Sequence, residues 1–288
     1  MRPLLILALV LLPLAARAEP AFRFRDADAT RRAEAVHALA LRPAGWERTR
    51  VATDAFLGTP YVVSPLGEGA GIDGDPRVRW DGVDCLTFVE TALALGNAAD
   101  VEAALLALDD IRYAAGTGPS YESRLHLMIA QWIPDQIRKG YLEDVTSRFG
   151  SAVSAEIAYD EARWKQRRGS LRAVPWMEAL AGTHALPMIP IAQARAIAGT
   201  LPEGLVINVV REARADRLNR VTHTGFVVVR DGKRYVRHAS LGRREVVDEP
   251  IERFLGRHAQ MRKWVVSGIN LLAVRDNTAR VQAVVAAP

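Results

Sequence analysis

The stretch Thr222-His223-Thr224-Gly225-Phe226-Val227-Val228-Val229-Arg230-Asp231-Gly232-Lys233-Arg234-Tyr235-Val236-Arg237-His238-Ala239-Ser240 decides the fold. Two runs rich in β-branched and aromatic residues flank an Asp-Gly pair, a strong hairpin signal because a two-residue primed turn needs positive φ at both central positions. A turn at Asp231-Gly232 makes Arg230 oppose Lys233. Counting outward, His238 faces Gly225 and His223 faces Ser240. Opposed residues, and residues two apart, share a sheet face. His223 and His238 are then diagonal neighbours on one face, with room left by Gly225. A loop longer by one residue would put them on opposite faces.

Outward from this hairpin, Leu205–Val210, Glu245–Asp248 and Ser267–Arg275 read as further strands of an antiparallel sheet. The N-terminal half has helical periodicity instead. Helices are expected over residues 26–42, 46–57, 84–97, 100–114 and 123–139, the last bent or broken at Pro134. Residues 64–82 hold Gly67, Gly69, Gly71, Gly74 and Gly82 and read as a surface loop. Residues 140–190 show short apolar groups without a period, read as irregular structure with edge strands beside the main body. Helices first and sheet second make an α+β fold. One domain is expected over residues 19–275, with 140–190 as an embellishment and 276–288 as a C-terminal tail.

Arg2, an apolar run and Ala16-Arg17-Ala18 read as a signal peptide over residues 1–18. The expected protein is exported, most simply to a periplasm, with no integral membrane segment after cleavage. Removing Arg2 and Arg17 leaves 36 basic against 33 acidic residues, a balance too mild and too scattered to indicate nucleic acid.

The chain has 1 cysteine, Cys85, so no internal disulfide is available to it. Asp84 is a good N-cap, and Leu86, Val89 and Leu93 follow at helical spacing, so Cys85 opens a helix. The helix dipole there is expected to favour thiolate. A thiol nucleophile needs a base, and the histidine pair on one sheet face supplies a candidate. Two alternatives stand beside this: Cys85 as a small buried apolar residue, and the Cys and His residues as zinc ligands, for which no closely spaced second ligand pair is present. His37, His184 and His258 have no pattern that ties them to Cys85. Glu90 reads as a helix carboxylate near the positive end of its dipole.

Gly58-Thr59-Pro60-Tyr61, the Gly-rich loop, Asp84-Cys85 at a helix start, His223-x-Gly225 and His238-Ala239-Ser240 together resemble the NlpC-type papain-like cell-wall hydrolases. Asp84-Cys85-x-Thr87-Phe88-Val89-Glu90, Ser123-Arg124-Leu125-His126 and Asp144-Val145-Thr146 resemble a narrower branch, the N-acetylmuramoyl-L-alanine amidase-like family. The likeness covers roughly residues 50–275. It departs at Gly204-Leu205, where a Gly-Asp pair is the family's usual opening of that strand.

The resemblance implies a papain-like fold with N-terminal helices packed on a C-terminal antiparallel sheet. It implies Cys85 as nucleophile, His223 as general base and then acid, and His238 as the group orienting His223. Tyr61, Arg124, His126 and Ser240 become candidate substrate contacts, with packing under the loop as the other reading of Tyr61 and bracing of the site as the other reading of Arg124 and His126. Peptidoglycan or a muropeptide is the implied partner, cut between N-acetylmuramic acid and L-alanine, with no metal or cofactor. Stem-peptide endopeptidase activity, acyl transfer through the same thiol, and non-catalytic cell-wall binding are the rival readings.

Overall fold

The structure is a computed structural model that describes residues 21–287; the expected signal peptide lies outside the described residues. Asp28 caps α1 (Ala29–Ala40), and α2 (Trp46–Ala55) follows a glycine at its start. The loop then delivers the chain to α3 (Cys85–Asn97), and Asp100 caps α4 (Val101–Arg112). The helix expected over residues 123–139 is realised only in part. Residues 123–127 are non-helical, with Arg124 bridged to Tyr113. A π-turn spans Met128–Trp132, and α5 (Ile133–Lys139) starts with Pro134 in its first turn. Pro134 has no N–H to continue a ladder upstream, and the widened turn before it sends both the Gln131 and Trp132 amides to the Leu127 carbonyl, at 2.8 and 2.9 Å.

Residues 140–190 hold β1 (Leu142–Asp144), β2 (Val153–Tyr159), α6 (Glu161–Lys165) and β3 (Gly182–Pro190). After α7 (Ile191–Ile197) come β4 (Leu205–Arg211), β5 (Val221–Arg230), β6 (Lys233–Ser240), β7 (Glu245–Pro250), α8 (Ile251–Ala259) and β8 (Val266–Val274). The strands form one antiparallel sheet in the order β2-β3-β8-β4-β5-β6-β7, with β1 joining β8 on the side that β3 occupies. This is the expected α+β class. Residues 276–288, expected as a C-terminal tail, contain α9 (Thr278–Ala286), docked on α4 by the Arg280–Asp110 ion pair at 2.6 Å and by buried Val281.

Strand alternation sorts the core into two layers. Phe226, Val228 and Ala239 face the helices α1 to α4, whereas Val227 and Val236 face α7 and α8. Helices therefore cover both faces of the sheet, a second layer that the sequence reading did not include. Phe24, Phe56, Phe88 and Phe226 run through the larger layer with centroid separations of 5.0, 5.9 and 5.7 Å. The last contact sets α3 directly on β5. The string Asp144-Val145-Thr146 is structural: Thr146 Oγ1 accepts from the Leu271 amide and the Asn270 side chain, pinning β8.

A glycine sets how closely α3 approaches α2. A Cβ built on Gly96 falls 2.0 Å from Thr49 Oγ1, itself hydrogen-bonded to the Gly45 carbonyl. Gly→Ala in a helix interior gains about 1 kcal/mol, but overpacking costs about 1–3 kcal/mol, and an overlap this deep puts overpacking ahead. Gly96→Ala is expected to lower the urea midpoint, and Thr49→Ala to recover part of the loss in the double variant. A Gly96→Ala protein more stable than wild type would refute this packing account.

Candidate active site

Asp84 builds the start of α3. Its carboxylate accepts from the amides of Leu86 (3.0 Å) and Thr87 (2.8 Å), while Thr87 Oγ1 accepts from the Asp84 amide (2.9 Å). This reciprocal box fixes the direction in which Cys85 leaves the helix. The approach is fixed too. Val83 donates to Pro60 O and Val62 donates to Val83 O, both at 3.0 Å, and Tyr61 donates to Arg244 O at 2.8 Å. The segment Gly58–Tyr61 thus lies between the cysteine loop and the turn after β6.

The hairpin has the register expected from its turn. Arg230 pairs with Lys233 and Phe226 with Arg237, with Asp231 and Gly232 at φ 49° and 72°. A Cβ on Gly225 would stand 2.8 Å from His238 Cβ, so a side chain there would displace the imidazole. His223 Nε2 lies 2.7 Å from His238 Nδ1, with the rings perpendicular. His223 sits beside a β-bulge. Val209 pairs with His223 but Val210 pairs with Val221, leaving Thr222 without a partner on β4. Such a bulge re-aims the neighbouring side chains.

The Thr224 amide, next in the chain after His223, lies near enough to the Cys85 sulfur to favour its charged form, as do the Cys85 and Leu86 amides. Among the described residues no hydrogen bond joins Cys85 to His223. The imidazole uses Nε2 on His238 and packs its ring against Phe254 and His258.

Electrostatics oppose the expected thiolate. Burial first, and then the adjacent Asp84 carboxylate, push the Cys85 thiol up to about 12, and the three amides only partly offset this. Burial, together with His238, His258 and Arg257, holds His223 well below the usual histidine range. Cys85 and His223 are both partly buried, and both shifts favour the neutral thiol and the neutral imidazole in the free protein. The helix start is positive, but Asp84 spends that field on its own charge.

Of the remaining sequence candidates, Tyr61 lies close enough to Cys85 and Asp84 to feel their charges. Burial chiefly, with those charges, raises its phenol to about 12, so it is a neutral O–H donor. Arg124 and His126 brace, the second of the two roles expected for them. Arg124 bonds Glu68 (2.6 Å) and Asp73 (2.9 Å) on the Gly-rich loop, while His126 Nε2 meets Tyr121 O at 2.6 Å. Ser240 Oγ accepts from the Arg243 amide at 3.3 Å, closing the turn between β6 and β7.

Glu249, Arg257 and His258 were not singled out from sequence, yet they complete the surroundings of the histidine pair. Glu249 pairs with Val236 across β6 and β7, and His238 pairs with Val247, so Glu249 is the diagonal neighbour of His238. Its Oε2 lies 3.3 Å from His238 Nε2 and 2.9 Å from Arg257 NH2. Alternation along β7 carried one residue past the expected end at Asp248 would have found it. His258, on α8, stacks on His223 at 6.0 Å with its Nδ1 on Phe254 O at 2.8 Å.

Residues 51–261 match a family model described as N-acetylmuramoyl-L-alanine amidase-like. No curated protein matches the chain in sequence. A structure from Legionella pneumophila is 22% identical, covering 85% of this chain and 95% of its own, with a TM-score of 0.73. An N-acetylmuramoyl-L-alanine amidase from Bacteroides uniformis is 26% identical over 79% of this chain and 98% of its own, with a TM-score of 0.64. A Bacteroides fragilis structure described as a candidate xylanase is 24% identical over 77% and 99%, with a TM-score of 0.62.

Asp84→Asn keeps a good cap and removes the charge. A negative neighbour disfavours thiolate, so its loss lowers the thiol pKa. Iodoacetamide alkylation of wild type should climb into the alkaline range without a plateau below neutrality, and Asp84→Asn should react several-fold faster at pH 8. A wild-type plateau near pH 6 would show a thiolate already present and overturn the neutral-pair description.

Proposed function

The chain belongs to the N-acetylmuramoyl-L-alanine amidase-like family, and from that premise we propose that it hydrolyses the amide between N-acetylmuramic acid and L-alanine, with Cys85 as nucleophile. The observation that carries the mechanism is one juxtaposition. The thiol at the start of α3 is met by the backbone of β5 at Thr224, one residue from an imidazole already held by a second imidazole at 2.7 Å. A helix-borne thiol beside the strand that carries the histidine also supports placing the fold among the papain-like, NlpC-type hydrolases.

In this mechanism His223 takes the proton from Sγ as sulfur attacks the carbonyl carbon. Because the pair is neutral beforehand, proton transfer accompanies attack. The tetrahedral oxyanion accepts from the Cys85 amide and, as the second donor, from the Tyr61 hydroxyl, which stays protonated throughout the working range. The resulting imidazolium gives its proton to the departing nitrogen of L-alanine, and the free peptide leaves. Water, deprotonated by His223, then cleaves the thioester and releases the muramic acid carboxylate. Arg124 and His126 serve by holding the Gly-rich loop that carries the chain to Cys85. We further propose that the protein acts on peptidoglycan or its muropeptides after export to the periplasm.

Digestion of purified sacculi and of isolated muropeptides, with products read by mass spectrometry, tests the reading. Peptides beginning with L-alanine are expected from wild type. Cys85→Ala should lose at least about 10³-fold in rate, the scale on which loss of a nucleophile acts. A cut between D-glutamate and the diamino acid would replace the amidase by an endopeptidase, and an active Cys85→Ala protein would remove the cysteine mechanism.

A further inference from the structure

We propose that Glu249, held by Arg257, is a positioning residue that fixes the tautomers of both histidines so that His223 presents an unprotonated Nδ1 as the base for Cys85. The inference rests on the reading of Cys85 and His223 as the reacting pair, but its central observable is independent of turnover.

The chain of hydrogen bonds starts at α8. Arg253 and Arg257 lie one turn apart on α8, so both face the Glu249 carboxylate near the end of β7. Arg257 donates from NH2 to Oε2 at 2.9 Å and from Nε to Oε1 at 3.3 Å, and Arg253 Nε stands 4.0 Å from Oε1. Burial alone would raise the Glu249 carboxyl, but the hydrogen bonds from His238 and Arg257 outweigh it and hold the group at about 2. Glu249 is therefore ionised, and an ionised carboxylate only accepts.

Each proton position then follows from the one before it. His238 Nε2, 3.3 Å from Glu249 Oε2, carries a hydrogen. A neutral imidazole has one N–H, so His238 Nδ1 is a bare acceptor. His223 Nε2 lies 2.7 Å from that acceptor and carries the hydrogen of its own ring. Nδ1 of His223 is left with a lone pair. The reverse assignment sets a bare Nε2 of His238 against a carboxylate, acceptor facing acceptor. A doubly protonated His238 would donate to both neighbours, drive the proton of His223 onto Nδ1 and leave no base. His258 does not compete, because its Nδ1 is committed to Phe254 O. When the Sγ proton moves to His223 Nδ1, the imidazolium keeps its Nε2–H on His238, and the negative Glu249 lies behind both rings.

Long-range ¹H–¹⁵N correlation of the histidine rings in the full chain at pH 7.5 reads these protons directly, with His223→Gln and His238→Gln used for assignment. Wild type is expected to show Nε2–H tautomers at both positions. Glu249→Leu should leave His238 as a mixture of tautomers. Loss of the carboxylate directly on a catalytic histidine costs about 10⁴ in kcat. Glu249 acts one ring further away, so kcat on muropeptides should fall roughly 10- to 100-fold with KM unchanged. Glu249→Gln, whose amide oxygen still accepts, should restore the Nε2–H tautomer and part of the rate, and it decides the matter if the Leu variant melts early. Nδ1–H on wild-type His238, a doubly protonated His238, or unchanged tautomers and kcat in the folded Glu249→Leu protein would each overturn the proposal. Nε2–H tautomers in a wild type that cuts no muropeptide would sink the amidase reading and leave the tautomer assignment standing.

Discussion

The alternation of side chains across β5, β6 and β7 is the constraint on which the site depends. Each link from His223 to His238 to Glu249 takes the same diagonal step between adjacent strands, and two such steps align three polar side chains on the face that packs α8. The register behind them comes from the Asp231–Gly232 turn, whose positive φ values suit the twist of a two-residue hairpin. Shifting one strand by a residue would turn His238 into the opposite layer, where Arg237 now lies. Gly225 belongs to the same constraint, since a Cβ there meets both the Arg237 carbonyl and His238 Cβ.

A second set of contacts brings the thiol-bearing helices to that sheet, and it relies on buried charge. Arg237 reaches from β6 to Asp54 and Thr53 on α2 and holds Asp248 at 2.7 Å. Glu90, one and a half turns past Cys85, takes Arg112 on one oxygen (3.0 Å) and the Trp132 indole on the other (2.9 Å), and Arg112 also donates to Leu66 O. It is thus a buried junction of α3, α4, the π-turn and the Gly-rich loop, not the solvated helix carboxylate its position suggests. Burial, only partly offset by Arg112, raises it to about 7. Desolvating such pairs costs about as much as their attraction returns, so their contribution is to geometry more than to net stability. Breaking one leaves an unpaired charge in the core, which ties the position of Cys85 to the loop and to α4 together.

The elements legible in the sequence were those with a local cause. Asp-Gly between β-branched runs, Asp84 before an apolar period and the glycine-rich approach to it all act within a few residues. Less legible were features caused at a distance. The strands of residues 140–190 draw their partners from β8 and from each other, and α9 owes its place to Asp110 on α4. The helix expected from Ser123 starts late because Arg124 is drawn into Glu68 and Asp73 on another segment. In the candidate site, His223 and His238 were readable because the hairpin register groups them, and Cys85 as the one cysteine at a helix start; the family resemblance joined the three. Glu249 stood one residue beyond the expected strand, and Arg257 and His258 arrived on a helix that the sequence reading did not assign.

The helix-dipole expectation for Cys85 went astray for a reason that has functional weight. Position at a helix start favours a thiolate only when the sulfur is solvated and the field is free; here burial disfavours the charge first, and a capping carboxylate one residue away adds to it. Partial burial first, and the Asp84 carboxylate second, raise the thiol and favour its uncharged form at neutral pH. Oxidants and disulfides react with thiolate, so an uncharged sulfur is slow toward both. For a single-cysteine protein proposed to work outside the cytoplasm, that protects the sulfur where reductants are scarce. In the proposed mechanism the cost is that the ground state stores no ion pair, and charge has to be created during attack. A base whose free nitrogen is already bare, and whose far nitrogen is anchored through His238 to a carboxylate, stabilises the imidazolium at that moment. The neutral thiol and the hydrogen-bonded histidine chain are therefore two halves of one arrangement, each of little use without the other.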